Sequence, residues 1–360
     1  MKKVAVIGAG VFGTSVALEL AKKFNVVLFE RRGSILAGAS TNNHLRYHHG
    51  YHYPRSKETA LESINGRLSF EEEYGACVSE TFPAYYAISK LNSKTHPKDF
   101  IKFCNDLKLP YKIEFPENEI LNRSKVTLCI KTPEPVYNPE ILKKIITKKI
   151  KNSTVNLRLR AEVIGGEIKE NKKVITYNYK NSVKKEEFDY VVGALYSNLN
   201  IINKWFGFKK KRMLYSLMEL IDIKLPITKK IGVMVLDGEF GTFLPVGKNY
   251  LFRLGHVKHS VLKQIVSDDL DTVLITNDNT LSNKDKILKA SLEFYPILKK
   301  AKFVRSIFVT RVIKPNVDNT DERLTEITKH GNGIYSVLGG KVITCIDTAK
   351  KIARMIEESY

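Results

Sequence analysis

The stretch that decides the fold is "KKVAVIGAGVFGTSVALELAKKFNVVLFERR", Lys2–Arg32. Lys3 to Ile7 reads as a short apolar strand. Val11 to Phe24 carries helical spacing through Val16, Leu18 and Leu20, and Val26 to Phe29 reads as a second strand ending in Glu30. Between strand and helix, Gly8, Gly10 and Gly13 form G-x-G-x-x-G. The first glycine permits the tight turn, the second lets backbone approach a pyrophosphate, and the third lets helix and strand pack closely. The head of the helix, Val11 and Phe12, supplies amide donors and the positive end of the helix dipole for phosphates. Glu30 stands where a carboxylate would accept hydrogen bonds from ribose hydroxyls. That charge argues against a 2′-phosphate, an objection softened by Arg31 and Arg32. The unit is a dinucleotide-binding βαβ start, and FAD and NAD are not separated by it.

Composition bounds the rest. The chain has 360 residues, 43% hydrophobic and 27% charged, enough for two domains and a large core. Four cysteines, Cys77, Cys104, Cys129 and Cys345, are scattered without a C-x-x-C pair. They read as buried thiols in a reducing compartment, and neither structural zinc nor a redox disulfide is expected. No window approaches a membrane span, and no signal peptide is read. A cytoplasmic protein is expected, with a peripheral place at a membrane surface as the variant. A net charge of +21, mostly spread lysine, reads first as solvated surface, with nucleic acid or an anionic membrane kept as less favoured partners.

Further helices are expected over Lys57–Tyr74, Pro97–Leu107, Pro139–Lys151 (capped by Asn138), Lys284–Lys300 and Cys345–Glu357. Strands are expected at Ala84–Ser89, Val155–Leu159, Val163–Glu167, Val174–Tyr179 and Tyr190–Ala194. Leu109–Pro139 reads as irregular. Met213–Pro315 has the texture of a mixed, mostly antiparallel sheet backed by helices.

Four segments carry a resemblance. The N-terminal fingerprint, "STNNHLRYHHGYHYPRS" (Ser40–Ser56), "FDYVVGALYSN" (Phe188–Asn198) and "IYSVLGGKVITCIDTAKKIA" (Ile334–Ala353) together resemble the D-amino-acid-oxidase-type family of FAD-dependent oxidoreductases. The "GGKVIT" turn is similar to the C-terminal flavin loop of FAD-dependent glycerol-3-phosphate dehydrogenases. The H-x-G-x-H-Y run, His48–Tyr53, resembles a region of L-2-hydroxyglutarate dehydrogenases. The resemblance implies FAD as cofactor, with the pyrophosphate on Gly8, Gly10 and Gly13 and the adenosine ribose on Glu30. It implies that Ser40, Thr41, Asn42 and Asn43 run beside the ribityl chain and ring system. Val163 and Ala194 would lie near the adenosine, and Gly339, Gly340, Lys341 and Val342 at the pyrimidine end of the flavin. The chain departs from the family at Leu195 and Tyr196, where a Thr-Gly pair is usual after the small residue.

Preorganised amides and an ammonium at that end make independent physical sense, because reduction places negative charge on the flavin N1/O2 edge. Four histidines in Ser40–Ser56 raise the question of a metal, but no carboxylate or cysteine partner stands beside them, so no metal is assigned. Imidazole titrates near neutrality, so His48 and His52, supported by Tyr53 and Arg55, are the expected catalytic pair. Each histidine, read alone, serves equally well as a packed structural residue, and Arg46 reads as a link to the fold. Arg311 is the expected clamp for a substrate acid, as the family commonly places an arginine on that strand. Arg253 reads more readily as a structural pair, and Arg323, in "DNTDERLTE", as part of an ion-paired turn.

The expected fold is α/β: a discontinuous Rossmann-like FAD-binding domain (1–90, 139–212 and 316–360) and a β-rich α+β substrate domain (91–138 and 213–315). The expected function is an oxidase or dehydrogenase transferring hydride from a CH–NH or CH–OH bond of a small amino, hydroxy or phosphate-bearing acid to flavin N5. The catalytic residues would be His48, His52, Tyr53, Arg311 and Lys341; the electron acceptor is not assigned. The alternatives are a flavin-dependent tRNA- or nucleotide-modifying protein and a non-catalytic dinucleotide-binding protein. The absence of a second glycine fingerprint argues against an NADPH-using reductase.

Overall fold

The computed structural model describes residues 1–79, 81–247, 250–270, 282–317 and 319–359. Residues 271–281 of the expected substrate domain lie outside the described residues.

The strand Lys3–Ile7 is apolar at every position after Lys3 because both of its faces are covered. Successive side chains alternate between faces. Val4, Val6, Val26 and Leu28 pack into the helical layer, whereas Ala5, Ile7, Val27 and Phe29 pack against Ile175, Tyr177 and Phe188 of a three-stranded antiparallel sheet (Glu162–Lys169, Lys172–Tyr179 and Ser182–Phe188). Lys3–Ile7 pairs in parallel with Asn25–Glu30 on one side and Tyr190–Gly193 on the other. Asn156–Leu159 and Ile334–Leu338 extend the parallel order outward, and Glu326–Gly331 closes one edge antiparallel. The chain leaves Lys3–Ile7 toward one neighbour and later returns to the other, so the carboxyl end of this strand is a topological switch point, where open α/β sheets bind ligands.

The helix Val11–Leu20 packs against Cys345–Glu357, bringing the two ends of the chain together. Ile346, Ala349, Ile352, Ala353 and Ile356 recur at i, i+3 and i+4 and are buried on one face. Asn138 caps Pro139–Lys151 by accepting from the amides of Glu140 and Ile141 at 3.0 and 3.1 Å.

Among the described residues, a second sheet of nine strands builds the other half of the molecule. Its pairings are antiparallel except where Gly232–Leu236 runs parallel to Ala84–Ser89. Three local expectations change. Ala84–Ser89, placed by sequence with the cofactor domain, is hydrogen-bonded into this large sheet. Leu109–Pro139 is not irregular throughout, since Lys112–Ile113 and Val126–Thr132 are strands, the latter with Cys129 and Ile130 buried against Ala87 and Tyr86. The single helix expected over Lys284–Lys300 is a helix Lys284–Ser291 and a separate 3₁₀ turn Pro296–Lys300, because Pro296 lacks the amide a continuous helix needs.

Candidate active site

The switch point of the first sheet opens into a cavity of about 1730 Å³ that continues beneath the nine-stranded sheet. That exceeds the roughly 300–1,000 Å³ of a pocket for a drug-sized ligand. It runs from Gly8 and Gly10, past Glu30 and Ala194, to His48, Tyr53, Arg311 and Lys341.

At the glycine turn, Gly8 has φ +99, the left-handed region that glycine enters without a Cβ penalty. Gly13 does not line the cavity; it lies so close to Gly8 that a methyl group there would overlap the Gly8 carbonyl oxygen. Glu30 accepts from the amides of Ala9 (3.0 Å) and Arg32 (2.9 Å). A carboxylate offers about four acceptor positions, which leaves two for ribose hydroxyls. Ser40 Oγ accepts from the amide of Val11 at 3.0 Å, placing a hydroxyl at the head of the first helix. Phe12, Arg31, Val163, Gly339, Gly340 and Val342 also line the cavity.

Two of the expected cofactor contacts are engaged elsewhere. Thr41 does not line the cavity, and its hydroxyl donates to the carbonyls of Leu36 (3.1 Å) and Gly38 (3.3 Å). Asn43 lines it but uses its amide on Ala39 O (2.9 Å), Tyr137 Oη (2.8 Å) and the Leu45 amide (2.6 Å). Short polar side chains readily bond nearby backbone, and that local competition is why their direction was not legible. Asn42 lines the cavity beside them. At Tyr196, the position where the family carries glycine, φ is +51, so the chain keeps the left-handed turn despite the side chain. Tyr196 Oη in turn accepts from the amide of Val312, next to Arg311, at 3.4 Å.

His48, His52 and Tyr53 form a cluster, with ring centroids 6.0 Å apart for the two histidines and 5.5 and 5.2 Å from each to Tyr53. Lys341 Nζ sits 4.3 Å from the centroid of the Tyr53 ring, a cation–π distance. Burial holds both imidazoles well below the usual histidine range, and the charges of Arg46 and Lys341 add to it. Both are neutral at neutral pH, and the same burial disfavours their protonated form. Lys341 is buried, and desolvation, reinforced by Arg323 and opposed by Asp321 and Glu62, lowers its ammonium to about 7. Burial, followed by Arg323, also lowers Arg311. Buried Nδ1 of His48, Nδ1 of His52 and Nε of Arg311 have no hydrogen-bond partner among the described residues. Polar groups left so in a wall are ready for a ligand.

Arg323 and Arg46 stand closer to the site than the sequence reading placed them. Arg323 does pair with Asp321, at 2.6 Å, but both line the cavity with Lys341. A Cβ at Gly340 would overlap the Arg323 carbonyl oxygen, which is how closely that turn and the Lys341 turn pack. Arg46 also lines the cavity and is backed by buried Glu134. Arg55 pairs with Asp237 at the cavity wall, one of its contacts being Nη2 to Oδ1 at 3.0 Å. Arg253 is structural: it forks onto Asp222 (2.9 and 3.2 Å) and donates to the Asn43 carbonyl (2.6 Å), tying the large sheet to the Ser40–Ser56 segment. Among the described residues no three His, Cys, Asp or Glu side chains converge as metal ligands.

The extended cavity, glycine turn, cavity-lining Glu30 and cationic wall are those of a dinucleotide-binding oxidoreductase, and the residues present fit FAD. The family described as "DAO: FAD dependent oxidoreductase" matches residues 3–342, and the chain belongs to it. It is similar to the FAD-dependent monooxygenase FPY4 of Fusarium mangiferae, 23% identical over 362 residues covering 98% of this chain and 90% of the relative. Its fold is that of the L-α-glycerophosphate oxidase of Mycoplasma pneumoniae, solved dithionite-reduced with FAD bound (TM-score 0.77, 14% identity, 99% of this chain and 95% of that one). Glycine oxidase from Geobacillus kaustophilus is as similar (TM-score 0.76, 14% identity, 99% and 95%). The protein is an FAD-dependent oxidoreductase. No helix among the described residues is long and apolar enough to cross a membrane.

Proposed function

We propose that the protein oxidises the C–H bond beside a hydroxyl or amine in a small organic acid. The observation that carries this reading is the meeting, in one wall, of neutral His48 and His52 with the cations Arg311, Arg323 and Lys341. Arg311 and Arg323 hold the substrate's carboxylate or phosphate, Arg311 with its unpartnered Nε and Arg323 beside it. His48 or His52 takes the hydroxyl or amine proton on an imidazole nitrogen. Lys341, stacked on Tyr53, places an ammonium beside the Gly339–Gly340 turn. FAD, when bound, would supply the two-electron acceptor for the substrate's hydride. In this reading Gly8, Gly10, Val11, Ser40 and Glu30 hold its pyrophosphate and ribose, and the 339–342 turn its pyrimidine end.

Glycine oxidase and glycerophosphate oxidase are both named for small substrates that carry an acid group, which supports the substrate class. The test is anaerobic bleaching of the 450 nm band against amino acids, 2-hydroxy acids and polyol phosphates, each beside its uncharged analogue. Bleaching by acids and not by their amides or free polyols is expected. A protein bleached equally by neutral analogues, or by none of the acids, refutes the reading. Repeating turnover with oxygen and with an artificial dye identifies the acceptor class.

A further inference from the structure

Glu134 is 2% exposed and lies in "TPEPVYN", between the strand Val126–Thr132 and the helix Pro139–Lys151. One carboxylate oxygen accepts from the backbone amide of His49 at 2.7 Å. The other accepts from the hydroxyl of Tyr86 and faces Arg46 Nε at 3.6 Å, an ion-pair separation too long for a hydrogen bond. Backbone pairing continues the contact: Tyr47 N donates to Pro135 O (3.1 Å), Tyr137 N to Leu45 O (2.8 Å), and Arg46 bridges Val136 antiparallel. Tyr137 Oη reaches on to the Ser40 carbonyl at 2.8 Å. The segment 134–137 therefore backs the Ser40–Ser56 segment from its start to His49.

His48 is the cavity-facing residue between the two points Glu134 grips, the Arg46 side chain and the His49 amide. A buried ion pair is weak evidence of stabilisation, since desolvation offsets much of its attraction. A carboxylate that brackets one reactive side chain and balances the cation beside it has a different use. We propose that Glu134 is a positioning residue, which holds His48 in the cavity wall by clamping its neighbours and sets the field of the site by neutralising Arg46. The inference rests on the reading of His48 as substrate-facing. Arg46 makes His48, His52 and Lys341 harder to protonate, and that is the influence a carboxylate beside it opposes.

Glu134→Gln keeps the shape and removes the charge. One uncompensated unit charge at about 10 Å, with an effective dielectric near 20, shifts a charged equilibrium on the order of tenfold. For the two-electron couple of the bound flavin, tenfold is about 30 mV. The expected result is an FAD-loaded Glu134→Gln protein whose flavin midpoint potential, read by dye equilibration, rises about 30 mV. Its kcat on the best-bleaching acid falls at least tenfold, with KM changed less. Unchanged potential and unchanged kcat overturn the proposal. Should Glu134→Gln fail to retain FAD, Tyr86→Phe decides, since it keeps the charge and removes one anchor: kcat equal to the parent overturns the proposal, and a severalfold loss supports it. His48→Asn, measured alongside, separates the two readings. If it turns over fully, the assignment of His48 falls, and the potential of Glu134→Gln alone decides whether Glu134 sets the field.

Discussion

Replacing Lys341 with methionine should stabilise the FAD-free protein at low pH and lose that advantage as pH rises. Lys341 is 9% exposed, and burial together with Arg323 lowers its ammonium from the ordinary 10.5 to about 7. The unfolded chain therefore binds this proton more tightly than the folded one between about pH 7 and 10.5. Stability contributed by the group rises with pH across that window and is lowest below it, where the folded protein must bury a charge. A difference of about 3.5 pH units corresponds, at 1.36 kcal/mol each, to a ceiling of about 5 kcal/mol. At about 2 °C per kcal/mol for a chain of this size, Lys341→Met should melt up to roughly 10 °C higher at pH 6.5. The gap should shrink steadily toward pH 10. Differential scanning of both proteins at matched ionic strength, from pH 6 to 10, measures it. A melting difference independent of pH, or one that grows with pH, refutes the idea that Lys341 is held as a strained buried ammonium. Asp321 and Glu62, which oppose the shift, give a control: Glu62→Gln should widen the gap.

In the proposed reaction the same proton governs catalysis, so kcat/KM for an acidic substrate should fall about tenfold per pH unit above about pH 7, a limb that Lys341→Arg should remove; a pH profile of the parent that stays flat to pH 9 contradicts the role. Arg311→Met should raise KM for the acid by roughly 10- to 100-fold, the loss of about 1.5–3 kcal/mol from a charge-assisted hydrogen bond, while leaving FAD content unchanged; steady-state kinetics with flavin quantitation checks both. Gly13→Ala forces a methyl group into the Gly8 carbonyl and should yield protein without a 450 nm band, so an intact yellow variant would break the account of the turn.

The parts of this protein that were legible in the sequence are those whose physics is local. The glycine turn, the strand on either side of it and Glu30 lie within thirty residues, and each residue type is dictated by a close approach or an exposed end. The Asn138 cap and the Cys345–Glu357 helix were legible for the same reason: the signal lies within one or two turns of chain. What was not legible depends on contacts between distant segments. Arg323 looked like one half of a turn ion pair, and the pair is real; only the packing of Gly340 against its backbone turns that pair toward Lys341. Arg46 looked like a link to the fold, and it is one, yet its partner Glu134 comes from a stretch rich in Pro and Glu that reads as irregular. Tyr196 is the instructive intermediate case. Tyrosine stands where the family carries glycine, and the turn is nonetheless left-handed at φ +51, with the hydroxyl fastened beside Arg311. A turn whose two flanks are held, Ala194 by the Ile7 carbonyl and Asn198 by that of Leu195, imposes its conformation on the residue between them. The side chain that this position accepts then reaches the amide beside Arg311, so a residue that breaks the family pattern is fastened to the strand that carries the proposed substrate clamp.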